Sequence, residues 1–320
     1  MNAPLRALLA GLGLAIAAAA GAQDGPVRIL VGFAPGGTSD VIARLIVDRM
    51  RTSLGTSVIV ENKPGANGML VAEALKNAAP DGRTLMIAPI SVTVFAPLTH
   101  AKLRYDPIKD FAPVSLAATF QMALAVGPGS PAKTLQEYIA WVRANPAKAT
   151  YGTPTAGGPP HFFGVMLARA TGVDLAVVPY KGGAPMVNDL IGGQVPAGIT
   201  VLPELVRHHD AGKVRMLASS GSQRSPVAPE VPTFKELGFA AIEGVGWQAF
   251  HTTSGTPRPT IDRLSAAIAA AIKAPEVNER LLALGLEPVG STPDELAARI
   301  AEDSARWAPI VKASGFRADE

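Results

Sequence analysis

The feature that most constrains the fold is a strand, a glycine-rich turn and a helix start that follow one another early in the chain. Val27, Ile29 and Val31 occupy every second position, which is the spacing of one face of a β-strand. Residues 35–37, Pro-Gly-Gly, interrupt that strand, and a helix with an apolar face follows and ends at Gly55. This order of elements predicts an α/β protein.

The same turn predicts a place where an anion can bind. A glycine pair lets the backbone approach a ligand closely, and a helix start offers unpaired N–H groups and a partial positive charge. Thr38, Ser39 or Asp40 is predicted to cap that helix. An ordinary βα turn without a ligand fits the pattern as well, so both interpretations stay open on this loop alone.

Residues 1–22 have the composition of a signal peptide. Arg6 is their only charged residue, residues 7–20 are apolar or glycine throughout, and Ala20-Gly21-Ala22 fits the small-residue cleavage rule. The apolar run is too short to span a bilayer comfortably. We expect cleavage after Ala22 and export to a bacterial periplasm, with a retained membrane anchor as the alternative.

The composition limits the chemistry and the partners. The chain has no cysteine, so we expect neither disulfides nor thiol catalysis nor thiolate metal sites. Its formal net charge is only +3 and it contains no basic cluster, which argues against a nucleic-acid partner. Without the signal peptide about 300 residues remain, which is a typical length for two domains.

The pattern of strand, glycine-rich turn and helix recurs in the second half of the chain. Residues 149–153 read as a strand, 154–160 as a turn with two glycines and three prolines, and 161–171 as a helix. Two such units that face one presumed cleft are more informative than either loop alone. Ser91 is a further candidate because it follows the predicted strand 84–88, although it could equally be a helix cap.

Two long apolar runs predict how the halves are joined. Residues 114–126 form a β-like run that is longer than a typical strand, so we expect it to cross between two domains. Residues 247–252 resemble a crossing strand back. The expected division is domain 1 from 23–119 and 250–320, with domain 2 from 120–249 inserted. The remaining predicted elements are strands at 57–61, 175–180 and 214–220, and helices at 69–78, 134–145, 186–191, 259–274, 275–284 and 293–314.

Several motifs occur in the order of one known family. They are the loop at 33–40 (Phe-Ala-Pro-Gly-Gly-Thr-Ser-Asp) and the segments 60–66, 105–111, 178–182, 189–195, 211–213 and 224–226. Together they make the chain resemble the Bug-type periplasmic solute-binding proteins of tripartite tricarboxylate transporters. The resemblance implies a type II periplasmic-binding-protein (Venus-flytrap) fold, with two α/β domains joined by two crossing strands. It further implies that the chain delivers its ligand to membrane transporter subunits.

The resemblance also implies a site without a cofactor, a metal or a catalytic residue. In the family, loops that correspond to 33–40 and 152–161 hold a substrate carboxylate through backbone N–H groups and bridging waters. The candidate ligand-binding residues are Phe33, Ala34, Gly36, Gly37, Thr38, Ser39, Asp40, Ser91, Thr153, Thr155, Ala156, Gly157, His161 and Thr200. His161 is expected to fix its loop through a backbone hydrogen bond rather than to transfer protons.

The second loop departs from the family pattern at several positions. Thr155 replaces a glycine and Gly158 replaces a serine, while Pro196 stands where an acidic or amide residue is common. Thr200 occupies a position where aspartate is common. A site without that aspartate should tolerate a second carboxylate or an apolar group better, and the far half of the ligand stays open.

The sequence gives little support to an enzyme. It contains no Gly-x-Ser-x-Gly elbow, no phosphate-binding loop motif and no dinucleotide motif, and its five histidines include no zincin-like pair. We therefore predict a monomeric binding protein for a dicarboxylate, a tricarboxylate, an amino acid or an aromatic acid. A ligand-sensing protein that signals to a membrane sensor is the alternative, followed by a periplasmic hydrolase. The roles of Lys181 and Trp247 stay open.

Overall fold

The computed structural model describes residues 25–318, so the predicted signal peptide and its cleavage site lie outside the described residues. The ten strands belong to one connected sheet. They are β1 Val27–Val31, β2 Val58–Asn62, β3 Thr84–Pro89, β4 Phe111–Val126, β5 Thr150–Thr153, β6 Ala176–Pro179, β7 Ala197–Val201, β8 Arg215–Ser219, β9 Val245–Thr253 and β10 Glu287–Pro288.

The α-helices lie between and after these strands. They are α1 Thr38–Leu54, α2 Met69–Lys76, α3 Ala96–Thr99, α4 Leu135–Ala144, α5 Pro159–Thr171, α6 Gly183–Ile191, α7 Leu202–Asp210, α8 Arg258–Ile272, α9 Pro275–Ala283 and α10 Pro293–Ser314. Short 3₁₀ turns cover Ala66–Gly68 and Pro146–Lys148, and a π turn covers Ser91–Phe95. The chain is thus an α/β protein, as the alternation of elements predicts.

The strands fall into two groups that share β4. The first group has the order β2-β1-β3-β9-β4 and the second has the order β4-β7-β5-β6. Residues 111–121 of β4 pair with β9, whereas residues 122–126 pair with β7 on one side and residues 123–126 pair with β8 on the other. The prediction that one long strand serves both halves is therefore confirmed. The second predicted crossing strand, β9, pairs along its whole length within the first group.

The parallel pairs bring several loops to common edges. β1 pairs in parallel with β2 and β3, so the loops that follow these strands lie at one edge. β5 pairs in parallel with β6 and β7, which places the loops after those strands together as well. Ligands of open α/β sheets bind outside such carboxyl ends.

Some local features do not follow from the sequence pattern. The buried face of α2 is formed by Val71, Ala72 and Leu75, whereas Leu70 is 48% exposed. In the segment 105–111, Tyr105 is buried and its hydroxyl donates to the Val92 carbonyl at 2.7 Å. β7 and α7 were not predicted, because β7 is only five residues long and contains a glycine.

The C-terminal helix α10 connects the two groups of strands. Its Trp307 packs against Phe95, with ring centroids 5.0 Å apart, and against Phe163 of α5 at 5.5 Å. Its Asp303 accepts a hydrogen bond of 2.7 Å from the indole nitrogen of Trp247 on β9. Trp247 is fully buried, so its role, which the sequence leaves open, is to form core beneath α10.

Candidate functional site

The first glycine-rich loop joins β1 to α1. Gly36 has a φ of +83°, a conformation that side chains disfavour, and a Cβ added there would meet nothing within 4 Å. Ala34 and Gly36 are exposed and Gly37 and Thr38 are half-buried, so the tip of the loop is open to solvent. The loop therefore presents bare backbone next to a helix start.

The predicted cap of α1 is wrong in detail. Gly37 is the N-cap residue, and no side chain of Thr38, Ser39 or Asp40 caps it. Instead the Asp40 carboxylate reaches back from the first turn and accepts a 2.9 Å hydrogen bond from the Gly36 N–H. The acidic side chain thus fixes the tip of the loop from inside the helix.

Asp40 is buried and belongs to a polar cluster beneath the loop. Its carboxylate accepts hydrogen bonds from Arg44 at 3.0 Å and from the Asn62 amide at 2.8 Å, and that amide also donates to the Phe33 carbonyl at 3.2 Å. Burial alone would raise the pKa of Asp40, but the bonds from Arg44, Gly36 and Asn62 outweigh it and lower the pKa. Asp40 is therefore ionised at neutral pH, and its carboxylate holds the loop in place.

Ser39 anchors the same loop to the sheet. Its hydroxyl donates to Oε1 of Gln248 on β9 at 2.8 Å, and both side chains are buried. Ser39 was proposed as a ligand contact, but its hydroxyl points into the protein. The part of this loop that is open to a ligand is the backbone at its tip, around Gly36 and Gly37.

The second glycine-rich loop joins β5 to α5. Gly158 is the N-cap residue of α5, with Pro159 at its first position, and Gly157 has a φ of +75°. The Gly157 N–H donates to Nδ1 of His161 at 3.1 Å. The structure thus contains the backbone hydrogen bond expected of His161. Burial lowers the pKa of His161, which favours the neutral ring that can accept this bond.

An aromatic cluster covers the second loop. The ring of Phe316, just beyond α10, lies 4.8 Å from His161, edge to face, and 6.1 Å from Phe162. A Cβ at Gly157 would come within 2.7 Å of the Phe316 ring. Phe95 in turn stacks on Phe162 at 5.4 Å. Residues from both groups of strands therefore pack on the helix start behind this loop.

A cavity of about 560 Å³ joins the first loop to the second group of strands. Its walls include Gly36, Thr38 and Val41 on one side and Gly183, at the start of α6, with Glu204 on α7. A volume of this size suits a small organic ligand. The first loop thus lines a cleft shared by the two groups of strands.

The candidates of the second loop do not line this cavity among the described residues. They are Thr153, Thr155, Ala156, Gly157 and His161. Their loop lies beside the cavity wall, because the Gly182 N–H donates to the Pro154 carbonyl at 2.8 Å. Ser91 is half-buried in the π turn after β3 and is also absent from the walls. The structure brings the two loops to neighbouring places rather than to one surface.

The sequence did not single out Glu204, which forms part of the cavity wall. Its Oε2 accepts a 2.6 Å hydrogen bond from the hydroxyl of Thr200, which is itself fully buried at the end of β7. A Cβ at Gly183 would overlap the Glu204 carboxyl. Although water reaches this side chain, the surrounding protein raises the pKa of its carboxyl. The sequence signal that could have indicated this contact is the four-residue spacing of Thr200 and Glu204 across the junction of β7 and α7.

Three further findings concern metal ions, membranes and Lys181. Within residues 25–318, no group of three metal-binding side chains could hold an ion. In the same part of the chain, no helix combines the length and the apolar character needed to cross a membrane. Lys181 is exposed beside the Gly182 turn, which matches a solvated lysine.

Comparison with solved structures defines the class of protein. Rpa4515 of Rhodopseudomonas palustris, solved with adipate, superposes with a TM-score of 0.84 at 30% identity, covering 92% of this chain and 98% of that one. MatC from the same organism, solved with malate, gives 0.79 at 32% identity, covering 90% and 99%. The fold is that of the periplasmic binding proteins.

The sequence comparisons identify the family. The tripartite tricarboxylate transporter family receptor matches residues 42–316. Protein BugT of Bordetella pertussis is 33% identical over 293 residues, which cover 91% of this chain and 90% of that protein. The chain belongs to the tripartite tricarboxylate transporter receptor family, as the series of motifs along the sequence indicates.

Proposed function

We propose that this chain binds a small organic carboxylate in the cavity between its two groups of strands. The observation that carries the proposal is the placement of Gly36 and Thr38, at the start of α1, on the wall of a 560 Å³ cavity. Backbone N–H groups at a helix start stabilise a negative charge without a buried cation. Relatives solved with adipate and malate support the same class of ligand.

The two loops have different roles in this proposal. The first loop contacts the ligand directly, with Phe33, Ala34, Gly36, Gly37 and Thr38 at or near the contact and Ser39 and Asp40 behind it. The second loop, with Thr153, Thr155, Ala156, Gly157 and His161, approaches when the cleft closes. Ser91 and Thr200 complete the surroundings of the ligand. Support comes from the hydrogen bond between Gly182 and Pro154, which ties the second loop to the cavity wall.

Closure requires two lobes that move. We propose that residues 23–119 and 250–320 form one lobe and residues 120–249 form the other, with β4 and β9 as the connection. The change of partners along β4, from β9 to β7 and β8, supports a hinge near that point. The cavity lies between the groups of strands, where such a motion would enclose a ligand.

The cellular role follows from the family. We propose that the chain is exported by its predicted signal peptide to the periplasm and acts there as a monomer. It would hand its ligand to membrane subunits of the transporter without changing it chemically, so we assign it no enzymatic activity and no cofactor. Receptors of this family support that assignment.

A thermal-shift screen of the mature protein against organic acids tests the proposal. Succinate, glutarate, adipate, malate, amino acids and benzoate are each added to the protein in excess. Uncharged amides of the same length, added separately, are the controls. We expect at least one acid, and no amide, to raise the melting temperature, since a ligand that binds only the folded state stabilises it. Nuclear magnetic resonance should show that the bound acid is unchanged after incubation. The absence of any acid that stabilises the protein would refute the proposal.

A further inference from the structure

Glu204 stands on the part of the cavity wall that belongs to the second group of strands. It is the third residue of α7, and the cavity it lines also contains Gly36 and Thr38 of the first loop. Its carboxyl lies against Gly183, where only glycine leaves room for it. A ligand held by the first loop would therefore extend towards a carboxyl group.

The charge of Glu204 is not neutralised by its neighbours. Its carboxyl accepts a hydrogen bond of 2.6 Å from the neutral hydroxyl of Thr200. No Lys, Arg or His side chain within residues 25–318 forms an ion pair with it. A carboxylate on a cavity wall that lacks a cation partner gains from a ligand that donates a hydrogen bond or carries positive charge.

The hydrogen bond between Thr200 and Glu204 changes the ligand that we expect from the threonine at position 200. A threonine in place of the common aspartate suggests a neutral far end, open to a second carboxylate. The structure instead shows an acidic group four residues later that uses Thr200 as its hydrogen-bond donor. The wall of the cavity on the side of the second group of strands thus carries a carboxyl group, that of Glu204, in this chain.

We propose, on the basis of the function proposed above, that Glu204 makes this receptor select a monocarboxylate with a hydrogen-bond donor or ammonium group at its far end. The first loop binds the carboxylate and Glu204 accepts from the donor. A linear dicarboxylate would place its second negative charge near Glu204, and this repulsion disfavours it. The ligand class is therefore that of ω-amino acids rather than dicarboxylates.

Arg207 is the cationic side chain of the wall that could oppose this selection. His208 beside it also lines the cavity, but burial, Arg207 and Lys213 lower its pKa, which favours the neutral ring. It lines the same cavity one turn further along α7 and could attract a second carboxylate. Its Nε, however, donates to Nε2 of the neighbouring His208 at 3.1 Å. Asp210, also on the wall, is the last residue of α7, six positions from Glu204.

Calorimetry with three matched ligand pairs tests the inference. The pairs are β-alanine with succinate, γ-aminobutyrate with glutarate, and δ-aminovalerate with adipate. Members of a pair share one spacer and differ only in the group at the far end. Each is titrated into the mature protein and into Glu204→Gln, Asp210→Asn and Arg207→Gln. Asp210→Asn is the matched control, because it removes the same charge from the same cavity six positions away.

The expected result is a reversal of preference in one variant. For the spacer that binds best, the intact protein should prefer the amino acid, and Glu204→Gln should weaken that ligand and strengthen the dicarboxylate by about tenfold each. Asp210→Asn should change the ratio of the two affinities by less than about threefold, because solvent and salt screen a charge that lies farther from the ligand. A folded Glu204→Gln with an unchanged ratio would overturn the inference.

Two other outcomes also decide the question. If the intact protein prefers the dicarboxylate and Arg207→Gln abolishes that preference, Arg207 sets the ligand class and the inference is wrong, although carboxylate binding stands. If no carboxylate of any class binds, the proposed function itself fails. If Glu204→Gln does not fold, the preference of the intact protein within each pair still decides for or against the inference.

Discussion

The hydroxyl of Ser39 donates to Oε1 of Gln248 at 2.8 Å, although 209 positions separate the two residues in the sequence. Both side chains are buried, so this bond fixes the glycine-rich loop before α1 to the middle strand β9. A loop that offers its backbone to a ligand needs such an anchor, because its tip has few other contacts.

Replacing Ser39 by alanine should loosen that loop. The change leaves Oε1 of Gln248 buried without its donor, which costs about 1–3 kcal/mol of unfolding free energy. Urea unfolding of Ser39→Ala beside Ser304→Ala, a half-buried serine of α10, measures this difference. Combining Ser39→Ala with Gln248→Met removes the unpaired oxygen and should recover part of the loss. Equal stability of the two single variants would contradict the proposed anchor.

Gly36→Val should abolish ligand binding while the protein stays folded. Its φ of +83° is unfavourable for valine, and the added side chain would enter the cavity that Gly36 lines. Gly55→Val is the matched control, because Gly55 has a φ of +67° and open space around it but lies at the far end of α1. Calorimetry should show loss of binding in the first variant alone. Unchanged affinity of Gly36→Val would remove the first loop from the site.

Arg44→Met should make ligand binding sensitive to acid. In the intact protein Arg44, Gly36 and Asn62 lower the pKa of Asp40, so the carboxylate that holds the Gly36 N–H persists as pH falls to its lowered pKa. Without Arg44 only Gly36 and Asn62 oppose the effect of burial, so the pKa of Asp40 should rise relative to the intact protein, and protonation then frees the loop at a higher pH. Affinity measured from pH 7 downwards should therefore decline earlier in Arg44→Met than in Arg51→Met, an exposed change on the same helix. Coincident profiles would count against the role of Asp40.

His251 should make stability depend on pH. It is buried on β9, and neither ring nitrogen has a partner at hydrogen-bond geometry within residues 25–318. Burial lowers its pKa to about 4, opposed in part by the Ala249 backbone. Because the folded pKa is below the unfolded value of about 6.5, stability is fully present above pH 6.5 and falls as pH drops towards 4.

The size of that effect can be measured with one substitution. We expect a loss of up to about 3 kcal/mol between the unfolded and the folded pKa of His251. His251→Leu should remove this slope and leave stability at pH 7 similar or higher, because it replaces an unpaired polar ring. Urea unfolding from pH 7 to 4 compares the variants, with His100→Leu, a half-buried histidine that follows α3, as the control. A slope that persists in His251→Leu would assign it to other groups.

The sequence allowed prediction of most elements but of fewer side-chain roles. The alternation at Val27, Ile29 and Val31 and the glycine at 55 follow local rules, so β1 and the end of α1 were predicted correctly. The long strand β4 was recognised from its length. The direction of Ser39, in contrast, depends on Gln248 of a distant strand, which no local pattern reveals.

The residues of the cavity wall were also only partly predictable from the sequence. The two glycine-rich loops were recognisable as repeats of one pattern, and the first does line the cavity. The second wall is formed by Gly183 and Glu204, whose proximity arises from the packing of α6 beside α7. Glu204 stands in a short helix after a short strand, so its place emerged only when tertiary contacts were known.

The sharing of β4 between both groups of strands has a consequence for how the molecule comes apart. Residues 111–121 and 122–126 are consecutive parts of one strand, so disorder that begins in either group removes pairing partners from the other. The buried contacts of Trp307 on α10 with Phe95 and Phe163 add a second tie. Denaturation should accordingly be a single cooperative event reported alike by tryptophan fluorescence and circular dichroism, even though the ligand cleft divides the protein in two.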